Sequence, residues 1–408
     1  MQESVAQMTD NVNISLQNDI VHILDRLEAS GFEAYTVGGF VRDALLSRDA
    51  GDCDITTDAT PEEIKRVFSD YRTIDTGIKH GTVTLIYNGK TYEITTYRVD
   101  GEYADNRHPD RVEFTTSLHA DLARRDFTVN AMAYSSRRGL VDLFDGRGDI
   151  EAGVIRAVGN PTRRFEEDAL RILRAVRFAS VLDFSVEEAT RAAIFRERGR
   201  LSSISAERIF SELKKLFGGV GAYRVITEFP QVISEQLCGV SEIRLPSEEV
   251  FSHLSAEERL ISVFYLSAAS PEEAFSETMR RLKSDRQTER RGRAVLSVMT
   301  DEPTGDRLLL TVLDKGIDLV NFALTLLLRI KPETERLYLP LAEFISSSKP
   351  SRLSELKIDG RDINALGISG SAVGELLSYI MLAVMRGEVE NDRDELIRFI
   401  KKHPTCID

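Results

Sequence analysis

The chain has 408 residues, of which 42% are hydrophobic and 29% are charged, and this composition excludes a disordered or fibrous protein. Its 53 basic and 66 acidic side chains give a formal charge of -13, so local basic patches would have to bind any polyanionic partner. Three widely separated cysteines, Cys53, Cys238 and Cys406, fit neither a disulfide framework nor a zinc site. The longest apolar runs are far shorter than the roughly 20 residues of a membrane span. We therefore expect a cytoplasmic protein without a membrane partner.

The first 150 residues alternate between helical and strand patterns. The predicted elements are, in chain order, a helix over 16–30, a strand over 33–37, a helix opening at the Gly38 and Gly39 pair, a capped helix over 60–68, and a hairpin of strands 82–87 and 91–97 turning at Asn88 and Gly89. This part of the chain predicts a mixed sheet with flanking helices.

From about Arg164 onward the sequence predicts amphipathic helices separated by short polar breaks, with no further strand. The predicted fold class is therefore α+β, with a mixed-sheet head followed by an all-α remainder. We divide the chain into a head over 1–150, a neck over 151–220, a body over 221–340 and a tail over 341–408.

A glycine pair and two aspartates form the first candidate site. Residues 38–43 read GGFVRD, and Asp52 and Asp54 follow, the first 13 positions after Gly39. A glycine pair that opens a helix lets backbone N–H groups approach a triphosphate. On a strand, Asp52 and Asp54 would share one face, while Cys53 and Ile55 would point into the core. Two carboxylates on one face repel each other unless a divalent cation such as Mg²⁺ lies between them. Two solvated loop aspartates are the alternative, and the glycine pair at this spacing favours the metal site.

Two further segments of the head could complete this site. Glu93 on the second hairpin strand is the candidate third carboxylate, and an edge-strand glutamate facing water is the alternative. Residues 124–134 read RRDFTVNAMAY, in which Asp126 and Asn130 lie one helical turn apart. The arginine pair ending at Arg125 could clamp phosphates, and Asp126 could hold a ribose hydroxyl or orient an arginine. A buried structural network is the alternative for this segment.

Residues 164–178, RFEEDALRILRAVRF, predict a helix on which Asp168, Arg171, Arg174 and Arg177 recur every third residue. Asp168 and Arg171 would be neighbours on one face, either as a surface ion pair or, given a nucleotide site upstream, as a base-reading pair. A row of every third residue drifts around the helix by about 60° per step. This drift is small enough that Arg174 can still reach the nucleotide. We expect Arg177 to touch phosphate or RNA, or to brace the neck.

An Asp and Arg pair can select bases by its hydrogen-bonding pattern. A carboxylate only accepts hydrogen bonds and a guanidinium only donates them. Cytosine and adenine both present an amino group beside a ring nitrogen acceptor, whereas uracil and guanine reverse this order. The wrong base would leave buried groups unpaired, at about 1–3 kcal/mol for each group. Asp168 and Arg171 would therefore select C and A together.

Several motifs resemble those of the class II CCA-adding enzymes, which are tRNA nucleotidyltransferases of the DNA polymerase β superfamily. The resemblance is strong over residues 31–217 and looser in the tail, KIDGRDINALGISGSAVGELL. The motifs are, in order, GGFVRD, Asp52 with Asp54, ITTYRVDGEYADNRHPD, RRDFTVNAMAY, EEDALRILRAVRF and ISAERIFSELKKL. The resemblance implies a seahorse-shaped head, neck, body and tail, dependence on Mg²⁺, CTP and ATP as substrates, and tRNA as acceptor.

Carried over residue by residue, the resemblance implies that Gly39 and Arg42 contact the nucleotide and that Asp52 and Asp54 hold the metals. It implies the same nucleotide-binding role for further residues, namely Arg125, Asp168, Arg171, Arg174 and Arg177. The stretch from Asp100 to Val112 resembles the family's flexible loop, in which Arg107 and Pro109 match, whereas His108 stands where a second basic residue is usual. No histidine is followed directly by Asp, so the phosphohydrolase activity of some relatives is not expected.

The expected activity is addition of CCA to tRNA 3′ ends without a nucleic-acid template, with release of pyrophosphate at each step. Enzymes of the same family that add only CC, only A or a poly(A) tail are the alternatives, and a catalytically silent RNA-binding protein is a more distant one. We expect no DNA partner, and the sequence leaves a homodimer open. Basic residues of the helical half that could contact tRNA are Lys214, Lys215, Arg398, Lys401 and Lys402.

Overall fold

The structure is a computed structural model that describes residues 13–49, 51, 53–100 and 112–402. The chain forms two compact units, one extending to Val232 and the other beginning at Ile233. The boundaries at 150, 220 and 340 between head, neck, body and tail stay predictions.

The first unit is built around a seven-stranded mixed sheet with the strand order β3-β4-β5-β2-β1-β8-β9. Two further pairs form separate two-stranded sheets, β6 with β7 and β10 with β11. The strands are β1 Ala34–Val37, β2 Asp54–Thr57, β3 Arg72–Gly77, β4 Thr82–Tyr87, β5 Lys90–Thr96, β6 Arg98–Asp100, β7 Val112–Phe114, β8 Met132–Ser135, β9 Gly139–Asp142, β10 Val154–Ile155 and β11 Ser185–Val186. This confirms the predicted mixed sheet.

The helices of the first unit are α1 Asn18–Ala29, α2 Gly39–Leu45, α3 Pro61–Val67, α4 Leu118–Ala123, α5 Gly146–Ala152, α6 Pro161–Glu167, α7 Leu170–Leu182, α8 Glu188–Glu197, α9 Ala206–Phe217 and α10 Ala222–Glu228. Short 3-10 helices occur at Ile78–His80, Thr128–Asn130 and Arg198–Ser203. The predicted capping box is present on α3, where the Thr60 side chain accepts from the Glu63 backbone and Glu63 reciprocates. Asn88 and Gly89 turn the β4–β5 hairpin with φ values of 48° and 75°, as a type I′ turn requires.

The sheet separates two apolar clusters, and strand alternation assigns side chains to each. Ile20, Ile23 and Leu27 of α1 pack on one face together with Ile55 and Ile94. Tyr35, Val37, Tyr97, Leu122 and Ala133 form the cluster on the other face. Strand β1 contributes to both because all four of its residues are buried.

The helix predicted over residues 164–178 is wrong as a single element. Helix α6 ends at Glu167, Asp168 has extended backbone with φ -140° and ψ 104°, and α7 begins at Leu170. The Asp168 side chain accepts a hydrogen bond from the Leu170 N–H at 3.0 Å, which holds the chain out of the helix at this point. The expectation of no strand beyond Arg164 is also wrong, because Ser185–Val186 pairs in parallel with β10.

The second unit is helical in its described residues. Its helices are α12 Glu248–Ser252, α13 Ala256–Ser267, α14 Pro271–Arg281, α15 Arg286–Asp301, α16 Gly305–Lys315, α17 Ile317–Ile330, α18 Glu335–Ser346, α19 Gly360–Ala365, α20 Ser371–Arg386 and α21 Arg393–Lys402, with 3-10 turns at Pro332–Thr334 and Leu353–Glu355. Helix α11, Pro230–Ser234, lies at the junction between the units. Among the residues the structure describes, no helix is both long and apolar enough to cross a bilayer.

Candidate nucleotidyl-transfer site

A cleft of about 220 Å³ lies in the first unit on the sheet face opposite α1. Its charged lining side chains are Asp54, Glu93, Arg98, Arg124 and Arg125. Two carboxylates and three guanidinium groups therefore surround one small volume. Such a site suits an anionic ligand together with a cation.

Strand register explains why Asp54 and Glu93 line the same cleft. Strand β2 runs parallel to β5 with Ile55 beside Ile94, so Asp54 and Glu93, one residue earlier on each strand, lie side by side. Because Ile55 and Ile94 point into the core, both acidic residues point to the other face, where they are exposed. The edge-strand alternative for Glu93 is wrong, since β5 lies between β4 and β2 inside the sheet.

The residues around Asp54 agree with the predicted alternation. Cys53 packs against the core from a half-buried position, and Cys53 and Cys238 are both free thiols. Burial, with a smaller contribution from the Asp54 charge, raises the pKa of Cys53 to about 12, so this thiol stays protonated and unreactive. Asp52 lies outside the described residues, as does Cys406.

Arg125 lies against the glycine turn. Gly38 precedes α2 with φ 69° and ψ -128°, and a β-carbon on it would approach the Arg125 Nη1 to 3.0 Å. The Arg125 Nη2 donates to Asp121 at 3.2 Å, whereas its buried Nε has no hydrogen-bond partner in the described part of the chain. Burial works to raise the pKa of Asp121, yet Arg124 and Arg125 hold it below its usual value. The fully buried Asp121 carboxylate thus fixes both arginines at the cleft.

Asp126 is the centre of a buried network that joins the sheet domain to α7. One of its oxygens accepts from Asn130 at 3.1 Å, and the other accepts from the Arg174 Nε at 2.8 Å. The Asn130 side-chain oxygen in turn accepts from the Arg42 Nη1 at 2.6 Å. Burial opposes ionisation, but Arg174 and Asn130 lower the pKa of Asp126 to about 2. Two roles were predicted for Asp126, holding a ribose hydroxyl or orienting an arginine, and its contacts with Arg174 correspond to the second.

The spacing of Asp126 and Asn130 has a different origin from the predicted helical turn. Phe127 is extended, with φ -130° and ψ 151°, and only Thr128–Asn130 forms a 3-10 helix. The contact between the two side chains is made across this bend. The predicted helix at this point is therefore wrong, whereas the predicted proximity is confirmed.

Three of the predicted arginines surround one aromatic ring. The guanidinium carbons of Arg42, Arg174 and Arg177 lie 5.0, 5.4 and 3.5 Å from the centroid of Phe178. Like charges at this separation repel, and each arginine is accordingly paired with an acid. Arg42 pairs with Asp43, Arg174 with Asp126, and Arg177 with Glu212 of α9 at 2.8 Å. Arg177 thus braces α7 against α9, which is one of its predicted roles.

Asp168 and Arg171 have separate side-chain partners. The second oxygen of Asp168 accepts from the Arg208 Nη2 at 2.9 Å. Arg171 donates through Nη1 to Glu167 at 2.8 Å, and through Nη2 to the Arg124 carbonyl at 2.9 Å. These two side chains are linked through the backbone, where the Arg171 N–H donates to the Asp168 carbonyl at 3.0 Å.

Both side chains keep unused hydrogen-bonding capacity. The Arg171 Nε–H and one of its Nη2–H groups have no acceptor among the residues the structure describes, and a carboxylate such as Asp168 accepts about four hydrogen bonds, of which two are used. Arg171 is 8% exposed, so these donors are held in a nearly closed environment. Both side chains are therefore held by protein partners, and Arg171 can still donate hydrogen bonds while Asp168 can still accept them.

Sequence reasoning missed the residues that hold this site in place, namely Asp121, Glu167, Phe178, Arg208 and Glu212. The i,i+4 spacing of Glu167 and Arg171 is a detectable signal. Arg208 and Glu212 are contributed by α9, some 35 to 40 positions from their partners, and local patterns contain no such information. The predicted loop residues Arg107 and Pro109 lie outside the described residues.

Two family models match the chain in the first unit. Residues 34–156 match the poly A polymerase head domain, and residues 183–228 match a probable RNA- and SrmB-binding site of polymerase A. The first match contains the cleft, and the second contains Arg208 and Glu212.

Whole-chain relatives agree with these matches. A CCA-adding enzyme of Lactobacillus delbrueckii is 39% identical over 93% of this chain and 96% of its own length, and one of Enterococcus faecalis is 37% identical over 93% and 94%. Among solved structures, the Bacillus stearothermophilus CCA-adding enzyme in complex with CTP has a TM-score of 0.76 at 30% identity, covering 96% of this chain and 98% of that one. The Thermotoga maritima CCA-adding enzyme complexed with tRNA has the same fold, with a TM-score of 0.69 at 22% identity over 94% and 95% of the two chains. This chain therefore belongs to the family of CCA-adding enzymes.

Proposed function

We propose that this protein adds C, C and A in turn to the 3′ end of tRNA from CTP and ATP, with the cleft beside Asp54 as the site of nucleotidyl transfer. The observation that carries the proposal is the side-by-side placement of Asp54 and Glu93 in a cleft lined by arginines. In the reaction the terminal hydroxyl of tRNA attacks the α-phosphate of the nucleotide, and pyrophosphate leaves. A protein that only binds RNA has no need for adjacent, exposed carboxylates at this place.

Membership of a nucleotidyltransferase family implies dependence on a divalent metal, and we propose Mg²⁺ as the ion. We assign the metal to Asp52 and Asp54, with Glu93 as the third carboxylate, since the adjacent oxygen donors of Asp54 and Glu93 fit such a hard cation. When bound, the metal would lower the pKa of the attacking hydroxyl and neutralise the triphosphate. The contribution of the protein is to hold the two carboxylates on neighbouring strands, where both line the cleft.

The arginines around the glycine turn would bind the triphosphate. Arg125 is the first candidate, because its Nε has no protein partner among the described residues and its Nη1 lies next to Gly38. Arg42 and Arg174 are already committed to Asn130 and Asp126, so we assign them to shaping the pocket and to its positive potential. Gly38 and Gly39 would let the backbone approach the phosphates.

Base selection would be made by Asp168 and Arg171. The free capacity of Asp168 suits the amino group of cytosine or adenine, and the free N–H groups of Arg171 suit the adjacent ring nitrogen. Because Glu167, Arg208 and the Arg124 carbonyl hold these two side chains, little ordering is left to be done when the nucleotide binds. The protein would thus take the place of a nucleic-acid template, and the reaction would occur in the cytoplasm.

The test supplies the purified protein and Mg²⁺ with a tRNA that ends at its discriminator base, and sequences the product ends. CTP alone should give addition of CC, and CTP with ATP should give CCA. Addition of CC only, of A only to a tRNA ending in CC, or of a long A tail would identify one of the alternative activities. No incorporation under any condition would identify a protein that binds RNA without catalysis.

A further inference from the structure

The end of helix α14 and the first half of α15 in the second unit carry a concentration of positive charge that neither matched family model includes. Between residues 280 and 293 the sequence has seven basic and two acidic side chains, in a chain whose formal charge is -13. The seven basic residues are all exposed. Local charge of this density in an acidic protein is typical of a surface for a polyanion.

Three of these arginines form a row on one face of the helix. Arg286, Arg290 and Arg293 occupy positions i, i+4 and i+7, which bring side chains together on an α-helix. Within the described residues none of the three has an acidic partner within 4 Å. The row extends about 10 Å along the helix axis at 1.5 Å per residue. We call these three residues the arginine row.

Nearby acids are engaged elsewhere. Asp285 caps α15, where it accepts from the Thr288 N–H at 2.8 Å and from its hydroxyl at 2.7 Å. Glu289 lies 3.6 Å from Arg280, and Glu257 pairs with Arg291 at 2.8 Å. Among the described residues none of these acids forms an ion pair with the arginine row, and the stretch keeps its excess of basic over acidic side chains.

The opposite face of α15 fixes the helix rigidly. Gly292 is packed so closely on the Phe275 ring of α14 that a β-carbon there would lie 2.3 Å from a ring carbon. Val295, Leu296 and Met299 are also buried. Because this face cannot turn outward, the arginine row is held toward solvent on a preorganised element.

We propose that the arginine row binds the phosphate backbone of the tRNA acceptor substrate. Guanidinium groups bind phosphate with two parallel hydrogen bonds, and an RNA strand presents a phosphate every few ångströms. A lipid surface would require apolar side chains beside the basic ones, and the intervening residues on this part of the helix, Gln287 and Thr288, are polar. The inference rests on the proposed function, since it is that function which makes tRNA the partner.

The test replaces Arg286, Arg290 and Arg293 together by Gln in the full chain. A matched control replaces Arg244, Arg307 and Arg361 by Gln, because these are exposed arginines of the same unit that each pair with an acid, at 3.2, 2.9 and 2.9 Å. The two variants therefore have the same net charge. A third variant has Lys at the three positions of the row and so keeps the charge. If it binds tRNA, the loss of binding in the Gln variant reflects lost charge and not damaged folding.

Binding of tRNA lacking CCA is measured between 50 and 200 mM salt. For the Gln variant of the row, we expect the slope of log Kd against log salt to fall by about two to three, and Kd at 0.1 M salt to rise about tenfold. The control should keep the parent's values, and the Lys variant should recover most of the affinity. Parent-like affinity and slope in the Gln variant, or equal losses in the control, would overturn the inference.

Incorporation of CTP in a single turnover, measured against tRNA concentration, separates this inference from the proposed function. The Gln variant should need about tenfold more tRNA than the parent to reach its half-maximal rate, because the arginine row is assigned to tRNA binding and to no step of the chemistry. A parent that binds tRNA through the row but incorporates nothing would refute the proposed function alone.

Discussion

Arg208 is expected to determine how accurately the protein reads bases, although we do not expect it to touch the base. Its Nη2 lies 2.9 Å from Asp168, and the two side chains are 26% and 16% exposed. A hydrogen bond between charged groups is worth about 1.5–3 kcal/mol. If Arg208→Met lets the Asp168 carboxylate turn, the preference for C over U should fall by about 10- to 100-fold.

The assay measures single-turnover incorporation of CTP and UTP on tRNA ending at the discriminator base. Arg208→Lys retains a charge near Asp168 and should lie between the parent and Arg208→Met. Arg200→Met is the matched control, since Arg200 pairs with Glu197 at 2.7 Å in the same unit and, among the described residues, forms no hydrogen bond or ion pair with Asp168. A parent-like ratio in Arg208→Met, or an equal loss of rate with both nucleotides, would show that Arg208 only stabilises the fold.

Three further predictions concern the carboxylates and the loop. Asp54→Ala should abolish nucleotide incorporation, while its circular dichroism spectrum and melting temperature stay near the parent's values. Substantial Mg²⁺-dependent incorporation by this variant would contradict the metal assignment. Because its pKa is lowered to about 2, the Asp126 carboxylate should contribute about 2 kcal/mol to the free energy of unfolding. This contribution is fully present above about pH 4 and is lost as the pH falls toward 2. Asp126→Asn should lack it, and a variant whose stability falls with acid as steeply as the parent's would refute this prediction. Shortening residues 102–110 should leave the two C additions nearly intact and stop addition of the terminal A, because the pocket must enlarge for a purine. Sequencing gels of the products measure this. Addition of A at the parent's rate would show that specificity for the last step lies in the neck.

The sequence was sufficient to predict the sheet domain and the carboxylates where local rules apply. Alternation on β2 predicted that Ile55 points into the core and Asp54 away from it, and the Asn88 and Gly89 pair predicted the hairpin. Each of these features depends on residues close together in the chain. From the sequence alone it could be proposed that Asp54 and Glu93 belong to one site. Their adjacency depends on the parallel pairing of β2 and β5, which no local pattern encodes.

The break at Asp168 shows what local patterns cannot supply. The segment from Arg164 to Phe178 contains neither Gly nor Pro, and most of its residues favour helix. The helix is interrupted because the Asp168 side chain competes for the Leu170 N–H and is held by Arg208 from α9. A short polar side chain and a distant partner together outweigh helix propensity. The residues that depart from the local rule are those we assign to base selection.

The proposal that the protein itself reads the base is tested most directly by the nucleotide preference of Asp168→Ala. Single-turnover rates are measured for CTP, ATP, UTP and GTP on the same tRNA, alongside the affinity for each triphosphate. We expect the preference for C and A over U and G to collapse while triphosphate affinity changes little, because the phosphates are held elsewhere. An unchanged preference for C and A would contradict base selection by Asp168 and Arg171.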